Sequence, residues 1–225
     1  GELRGLEEDG AETRAGGAYA ALTQRIAAAT ALDPAPPPSL QGILRPYQRE
    51  GFAWMARLAA WGAGAVLADD MGLGKTLQAI ALLVRRSSEG PQLVVAPTSV
   101  GFNWRRELAR FAPELVVRSY AGPDRARRLE EAGPGQVFVT SYGVVLRDAA
   151  ELRAVRWATL VLDEAQAVKN PKTQQARALR GLDADWILAL TGTPLENHPA
   201  DLWALFRIVF PGLLGSFEAF RAGYL

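Results

Sequence analysis

The sequence predicts an α/β fold: a parallel sheet with helices on both faces, preceded by a short helical appendage. Three observations carry this. Six short runs, at 64–68 (GAVLA), 92–96 (QLVVA), 115–120 (LVVRSY), 136–140 (QVFVT), 158–162 (ATLVL) and 186–190 (WILAL), are mostly continuously apolar and rich in β-branched residues. That is the pattern of strands covered on both faces. Helix-length segments separate them, as crossovers between parallel strands require. Finally, 225 residues with 49% hydrophobic and 22% charged content match a folded globular chain and exclude wholesale disorder or a fibrous repeat. The length fits one large domain or one domain plus an appendage.

The elements follow in order. Residues 11–32 are alanine-rich, with Leu22, Ile26 and Ala29 at helical spacing, and predict a helix. The run DPAPPPS at 33–39 cannot continue it, because proline lacks the amide donor and restricts its predecessor. A linker is therefore expected to end the appendage near residue 40, leaving 1–40 as appendage and 41–225 as the main lobe. Pro46 suits a first helical position, and Tyr47, Phe52, Met55, Leu58 and Ala59 continue as an apolar stripe. Strand and helix then alternate, with no repeat of fixed period and no low-complexity tract beyond the prolines. The longest uncharged apolar stretch, Leu58–Ala68, has 11 residues including two glycines, against about 20 needed to span a bilayer. The acidic start at Gly1 lacks the basic and apolar regions of a signal peptide, so the chain is expected to be part of a longer protein.

Composition narrows the chemistry. With no cysteine, disulfides, thiol catalysis and thiolate zinc sites are excluded. One histidine, His198, cannot build a multi-histidine centre, so a metal here would sit on oxygen ligands, and His198 itself reads as structural. The net charge is +1, but residues 1–40 carry three arginines against six acids, whereas 85–128 carry nine arginines against four acids. That excess suits phosphate or a solvated helix face.

Two segments concentrate reactive groups. The first strand runs into DDMGLGKT at 69–76 and then into a helix bearing Leu77, Ile80, Ala81 and Val84. A strand, a glycine turn and a helix starting at Gly-Lys-Thr let backbone amides and the helix N-terminus cradle phosphates. Gly72 and Gly74 permit close approach, Lys75 would reach the β and γ phosphates, and Thr76 would offer its hydroxyl to Mg²⁺. Only three lysines occur among 25 basic residues, so Lys75 stands out from an arginine default. The strict phosphate-loop pattern has glycine where this chain has Asp69. The second segment is DEAQ at 163–166, at the end of the fifth strand. Open α/β sheets place ligands at that edge, where Asp163 would hold Mg²⁺ and Glu164 would orient or deprotonate water.

In order, these segments resemble the first RecA-like motor lobe of superfamily-two helicases, specifically Swi/Snf-type double-stranded DNA translocases. The resemblance runs from about Leu44 to Phe210. LRPYQREG at 44–51 is similar to the family's adenine-recognition segment, with Gln48 reading the base; DDMGLGKT is similar to its nucleotide loop, which also carries an acid at the position of Asp69. VVAPTSVGFNW at 94–104 and VTSYGVV at 139–145 resemble segments that grip the DNA backbone, which implies contacts from Thr98, Ser99 and Ser141, with Arg105 and Arg106 following. Trp104 and Tyr142 read first as core aromatics and second as DNA contacts. LDEAQAVKNPKTQ at 162–174 and LTGTPLENH at 190–198 resemble the carboxylate and coupling motifs. The latter implies that Thr191, Gly192 and Thr193 sense the γ phosphate or the carboxylates.

The resemblance implies an ATP- and Mg²⁺-dependent ATPase that translocates on duplex DNA without reading sequence and remodels protein–DNA complexes. Lys75, Asp163 and Glu164 would be its catalytic residues, and Gln166 would join the coupling set. Many relatives have histidine at that position, and glutamine cannot titrate, which bears on proton-linked coupling and not on the nucleotide chemistry. In this family a second RecA-like lobe supplies arginines that complete the ATP site, so these residues alone are expected to be half a motor, inactive by themselves. A strand-separating helicase or restriction-type translocase shares the nucleotide motifs, and a non-hydrolysing ATP-switch module is the alternative of another class. The expected location is with DNA, in a bacterial cytoplasm or a nucleus, with no membrane partner.

Overall fold

The computed structural model describes residues 17, 19–171, 173–193 and 199–224. All six expected strands form: β1 (Ala65–Leu67), β2 (Gln92–Ala96), β3 (Val116–Ser119), β4 (Gln136–Ser141), β5 (Thr159–Leu162) and β6 (Ile187–Leu190). They make one parallel sheet in the order β1-β6-β5-β2-β4-β3. Because every strand runs the same way, all their carboxyl ends reach one edge, where crossover loops leave room for ligands.

Helix α1 covers residues 19–30. The others are α2 (Pro46–Trp61), α3 (Lys75–Arg85), α4 (Gly101–Phe111), α5 (Tyr142–Arg147), α6 (Ala149–Arg153), α7 (Gln174–Arg180), α8 (Pro199–Val209) and α9 (Phe217–Tyr224). Side chains alternate across a strand, so each apolar run feeds two cores. Val94, Val139, Val161 and Leu188 pack with Phe52 of α2, Ile80 of α3 and Leu108 of α4 on one face. Leu93, Val95, Phe138 and Leu160 pack with Val145 of α5, Leu179 of α7 and Ile208 of α8 on the other. Edge strand β3 departs from the expected burial: Val116 is 48% exposed, whereas the other edge strand, β1, is largely buried.

The amino end of the sheet is pinned by a buried arginine. Arg86 donates to Thr159 Oγ1 and Ala158 O, both at 2.9 Å, tying the end of α3 to the start of β5. Burial lowers its pKa, against the raising pull of Glu89 and Asp185. An unpartnered buried charge would be costly; these bonds offset it.

Several described residues before position 41 contact the main lobe. Pro46 does open α2 at its first position, with Arg45 as N-cap. Leu40, placed at the end of the linker, is fully buried in the first core. Arg57 of α2 donates to Leu32 O at 3.0 Å, and Ala29 is buried, whereas Leu22 and Ile26 of the expected stripe remain exposed.

Candidate functional site

The strand order decides what meets at the carboxyl edge. β1 pairs with β6, β6 with β5 and β5 with β2, so the phosphate-loop, coupling and carboxylate segments emerge side by side although they start at residues 69, 191 and 163. The ladder continues into them: Thr191 N–H donates to Leu67 O at 3.1 Å and Asp163 N–H to Val95 O at 2.8 Å. β2 also pairs with β4, with Ala96 opposite Ser141, so Thr98, Ser99 and Ser141 leave from adjacent strand ends.

Within the phosphate loop, Gly72 and Gly74 take left-handed φ of +84° and +78°. Gly74 caps α3, and a Cβ on it would lie 2.4 Å from Gln48 Nε2. The left-handed φ favours glycine at both positions, and at Gly74 a side chain would also have to displace the Gln48 amide. Lys75 occupies the first position of α3 and Thr76 the second. The ammonium of Lys75 donates to the carbonyls of Asp69 at 2.6 Å and Asp70 at 3.0 Å. Gln48 is 5% exposed; its Oε1 accepts from Arg45 N–H at 2.9 Å and its Nε2 donates to Leu73 O at 3.1 Å. Tyr47 donates to the same carbonyl at 3.0 Å. Gln48 thus props the loop from behind, and reading an adenine edge would require exchanging at least one of these bonds.

Asp163 is buried, at 7% exposure, with its Oδ1 accepting the Glu164 N–H at 2.9 Å and its Oδ2 the Trp104 indole N–H at 2.7 Å. Burial raises its pKa, against the lowering effects of the Trp104 and Glu164 hydrogen bonds and of Lys75. A desolvated carboxylate lacks compensating positive charge, which a divalent cation supplies. Among the described residues no group of three or more His, Cys, Asp or Glu could hold a metal. A carboxylate oxygen at Asp163, on the same sheet edge as the segment that carries Thr76, is the kind of donor that Mg²⁺ takes beside phosphate and water oxygens, so the donor chemistry fits a magnesium nucleotide.

Glu164 has φ +49°, the single left-handed non-glycine among the described residues. Such strain, about 1–3 kcal/mol, clusters at functional sites. Its carboxylate accepts from Gln166 Nε2. Gln166 Oε1 accepts from Thr191 Oγ1 at 2.9 Å, and Thr191 Oγ1 accepts from Thr193 N–H at 3.1 Å. Gly192 abuts the phosphate loop: a Cβ there would come 3.0 Å from Met71 Cγ. The coupling segment therefore touches the carboxylate turn on one side and the nucleotide loop on the other.

On the neighbouring strand ends, Thr98 and Ser99 are exposed and Ser141 half-buried. Arg105 and Arg106 are exposed on α4; Arg105 lies 5.8 Å from the Phe102 ring centroid and Arg106 donates to Asn103 Oδ1 at 2.6 Å. Trp104 and Tyr142 are buried, as the core reading expects. What the sequence reading missed is their hydrogen bonding: Tyr142 O–H donates to Asp163 O at 2.7 Å, beside the Trp104 bond. The available signal was that a buried indole or phenol needs a polar partner, but neither spacing names Asp163. A cleft of about 810 Å³, lined by Gly64, Arg180, Trp186, Trp203 and Phe217 among others, opens at the amino end of β1 and β6, away from all of these groups. His198 lies outside the described residues.

Residues 47–225 match the SNF2-related domain family. Over 195 residues the chain is 46% identical to YwqA of Bacillus subtilis, named for ATP-dependent helicase/translocase activity, covering 84% of this chain and 21% of that protein. Over 184 residues it is 41% identical to helicase SWR1 of Debaryomyces hansenii, covering 78% of this chain and 11% of that protein. The SWI2/SNF2 ATPase core of Sulfolobus solfataricus, solved in complex with double-stranded DNA, superposes with a TM-score of 0.72 at 44% identity, covering 80% of this chain and 38% of that chain. The chain thus spans about a fifth or less of these two protein relatives and under half of that core.

Proposed function

The chain belongs to the SNF2-related domain family, and from that premise we propose that it is the first RecA-like lobe of an ATP-hydrolysing motor that moves along duplex DNA and remodels protein–DNA complexes. The observation that carries the reading is the Thr193–Thr191–Gln166–Glu164 hydrogen-bond chain, which joins the segment against the phosphate loop to the carboxylate that would handle water. Phosphoryl transfer needs positioning and charge neutralisation above all. In this reading Gly72, Gly74 and Thr76 hold the phosphates and metal with Asp163, Lys75 exchanges its loop carbonyls for the β and γ phosphates, and Glu164 accepts the water's proton or orients it. Magnesium, when bound, neutralises phosphate charge. Thr98, Ser99, Ser141, Arg105 and Arg106 meet the DNA backbone from the adjoining strand ends, contacts that carry no base information. A second lobe would supply arginine to the same nucleotide, a contribution of about 10³–10⁵ in rate in comparable sites, so this lobe alone would turn over near background.

The test is ATP turnover by the full-length protein with duplex DNA, single-stranded DNA, RNA and no nucleic acid, for wild type, Lys75→Ala and Glu164→Gln. Duplex stimulation, weakened nucleotide binding in Lys75→Ala, and binding without hydrolysis in Glu164→Gln are expected. Equal stimulation by single strands would favour a strand-separating helicase. Wild type that binds ATP but never hydrolyses it would leave an ATP-switch module.

A further inference from the structure

Four tryptophan N–H groups of this lobe have hydrogen-bond partners that separate one ring from the rest. Trp157 donates to Leu152 O, Trp186 to Ala63 O and Trp203 to Gly215 O, all main-chain carbonyls that hold the fold together. Trp104 donates to a carboxylate oxygen, Asp163 Oδ2, at 2.7 Å across 59 residues of sequence. Tyr142 donates to the main-chain oxygen of that same Asp163, at 2.7 Å. Both rings are buried, at 0% and 6% exposure.

We propose that Trp104 and Tyr142 are positioning residues that hold Asp163 from the DNA-facing side of the lobe, Trp104 at its carboxylate and Tyr142 at its main chain. The inference rests on the reading of Asp163 as the magnesium-holding carboxylate and of the β2 and β4 ends as the DNA-facing segments. With Oδ1 tied to the Glu164 amide and Oδ2 to the indole, rotation of the carboxylate is restrained at both oxygens. Outer partners of this kind fix the orientation of metal ligands. The location of the two rings adds a second consequence. Trp104 stands on α4 immediately before Arg105 and Arg106 and shortly after Thr98 and Ser99, and Tyr142 directly follows Ser141. Each DNA-facing segment therefore sends one rigid buried aromatic inward to a single residue. Engagement of the DNA backbone that shifts α4 or the start of α5 turns Asp163 through these two bonds.

The experiment uses the full-length protein carrying Trp104→Phe, which keeps a ring and removes the N–H, with Trp157→Phe as the control that loses an indole bond far from Asp163. Three quantities are read: the Mg²⁺ concentration that half-saturates binding of a fluorescent ATP analogue, the stimulation of kcat by duplex DNA, and duplex affinity by anisotropy. In Trp104→Phe the Mg²⁺ midpoint rises and duplex stimulation falls, each on the order of tenfold, as for outer partners of metal ligands, while duplex affinity stays within about twofold. Trp157→Phe moves neither. If Trp104→Phe fails to fold by thermal melting, Tyr142→Phe, which loses one hydroxyl, is measured in the same way. Wild-type values of Mg²⁺ midpoint and stimulation in the folded variant, or equal changes in Trp104→Phe and Trp157→Phe, overturn the proposal. A wild-type protein whose nucleotide binding ignores Mg²⁺, or whose turnover ignores duplex DNA, instead overturns the functional reading beneath it.

Discussion

Thr191 donates its hydroxyl proton to Gln166 Oε1 at 2.9 Å, joining the end of β6 to the turn that follows β5. Gln166 can make this bond and still donate to Glu164 because its amide presents an acceptor and a donor on opposite ends. A titratable group is not needed for that bridge.

Removing the hydroxyl while keeping the shape should therefore break the bridge to Gln166 and also take away the acceptor of the Thr193 N–H. In the full-length protein, Thr191→Val is expected to lower kcat about tenfold, equivalent to roughly 1.4 kcal/mol, with ATP affinity within about twofold of wild type. Steady-state turnover beside calorimetric nucleotide titration checks this. A loss confined to binding would place Thr191 on the nucleotide and not on Glu164.

Glu164 holds φ +49°, a conformation glycine adopts without steric cost. Releasing about 1–3 kcal/mol of left-handed strain, set against the roughly 0.5–1 kcal/mol entropic cost of a glycine, leaves a net gain of about 0–2.5 kcal/mol. In the full-length protein Glu164→Gly should then melt no lower than wild type, with a rise of about 2–4 °C for each kcal/mol released in a domain of this size, while losing ATP hydrolysis. Scanning calorimetry and turnover of the same preparation give both readings; a lower melting temperature would mean that the bond to Gln166 outweighs the strain.

Arg105 and Arg106 project from α4 beside the proposed DNA segments, each in a local contact that leaves it exposed. If one lobe neutralises two to four phosphates, its share of the slope of log affinity against log salt is about −2 to −4. Replacing both arginines by alanine should flatten the slope of the full-length protein by up to about 2. Anisotropy across a salt series with two unrelated duplexes decides it: an unchanged slope marks the arginines as ordinary surface charge, and a strong preference for one sequence contradicts a translocase.

Asp148 ties β3 to α5. Arg125 grips its carboxylate through Nε and, at 2.8 Å, through Nη2, and Tyr120 O–H donates to it at 3.0 Å. The Arg125 hydrogen bond is the main reason its pKa lies below the ordinary carboxylate value, with burial opposing. A depressed folded-state pKa contributes stability that is present above the unfolded value, near pH 4, and lost as pH falls through the folded value. Melting temperature should thus drop more steeply on acidification in wild type than in Asp148→Asn, and the two curves should converge at low pH. Parallel curves would assign the acid loss elsewhere.

Much of this lobe was legible in the chain itself. Six strands could be located to within a residue or two, most of them because a strand buried on both faces must be apolar at consecutive positions, a local property; β3, which is not buried in this way, was located by its β-branched residues. The shape of the 69–76 turn was legible for a similar reason: the left-handed positions at Gly72 and Gly74 favour glycine, and the helix that follows opens at Lys75. Local pattern was a weaker guide where burial depends on distant neighbours. Leu22 and Ile26 have helical spacing yet lie exposed, Val116 on β3 is half exposed although it sits in an apolar run, and Leu40 is core although a proline run precedes it.

Which segments meet was settled by tertiary structure alone. Nothing local to Leu67, Leu162 or Leu190 encodes that β6 inserts between β1 and β5, yet that order sets Thr191 between the phosphate loop and Glu164. The Trp104–Asp163 bond spans 59 residues and joins the helix that follows β2 to the end of β5, the strand paired in parallel with β2. Sequence determined the chemical groups and the local bends that expose them, since those follow from short-range sterics and burial. Their partners were decided by the packing of the whole sheet, since a hydrogen bond depends on distance in space and carries no signature along the chain.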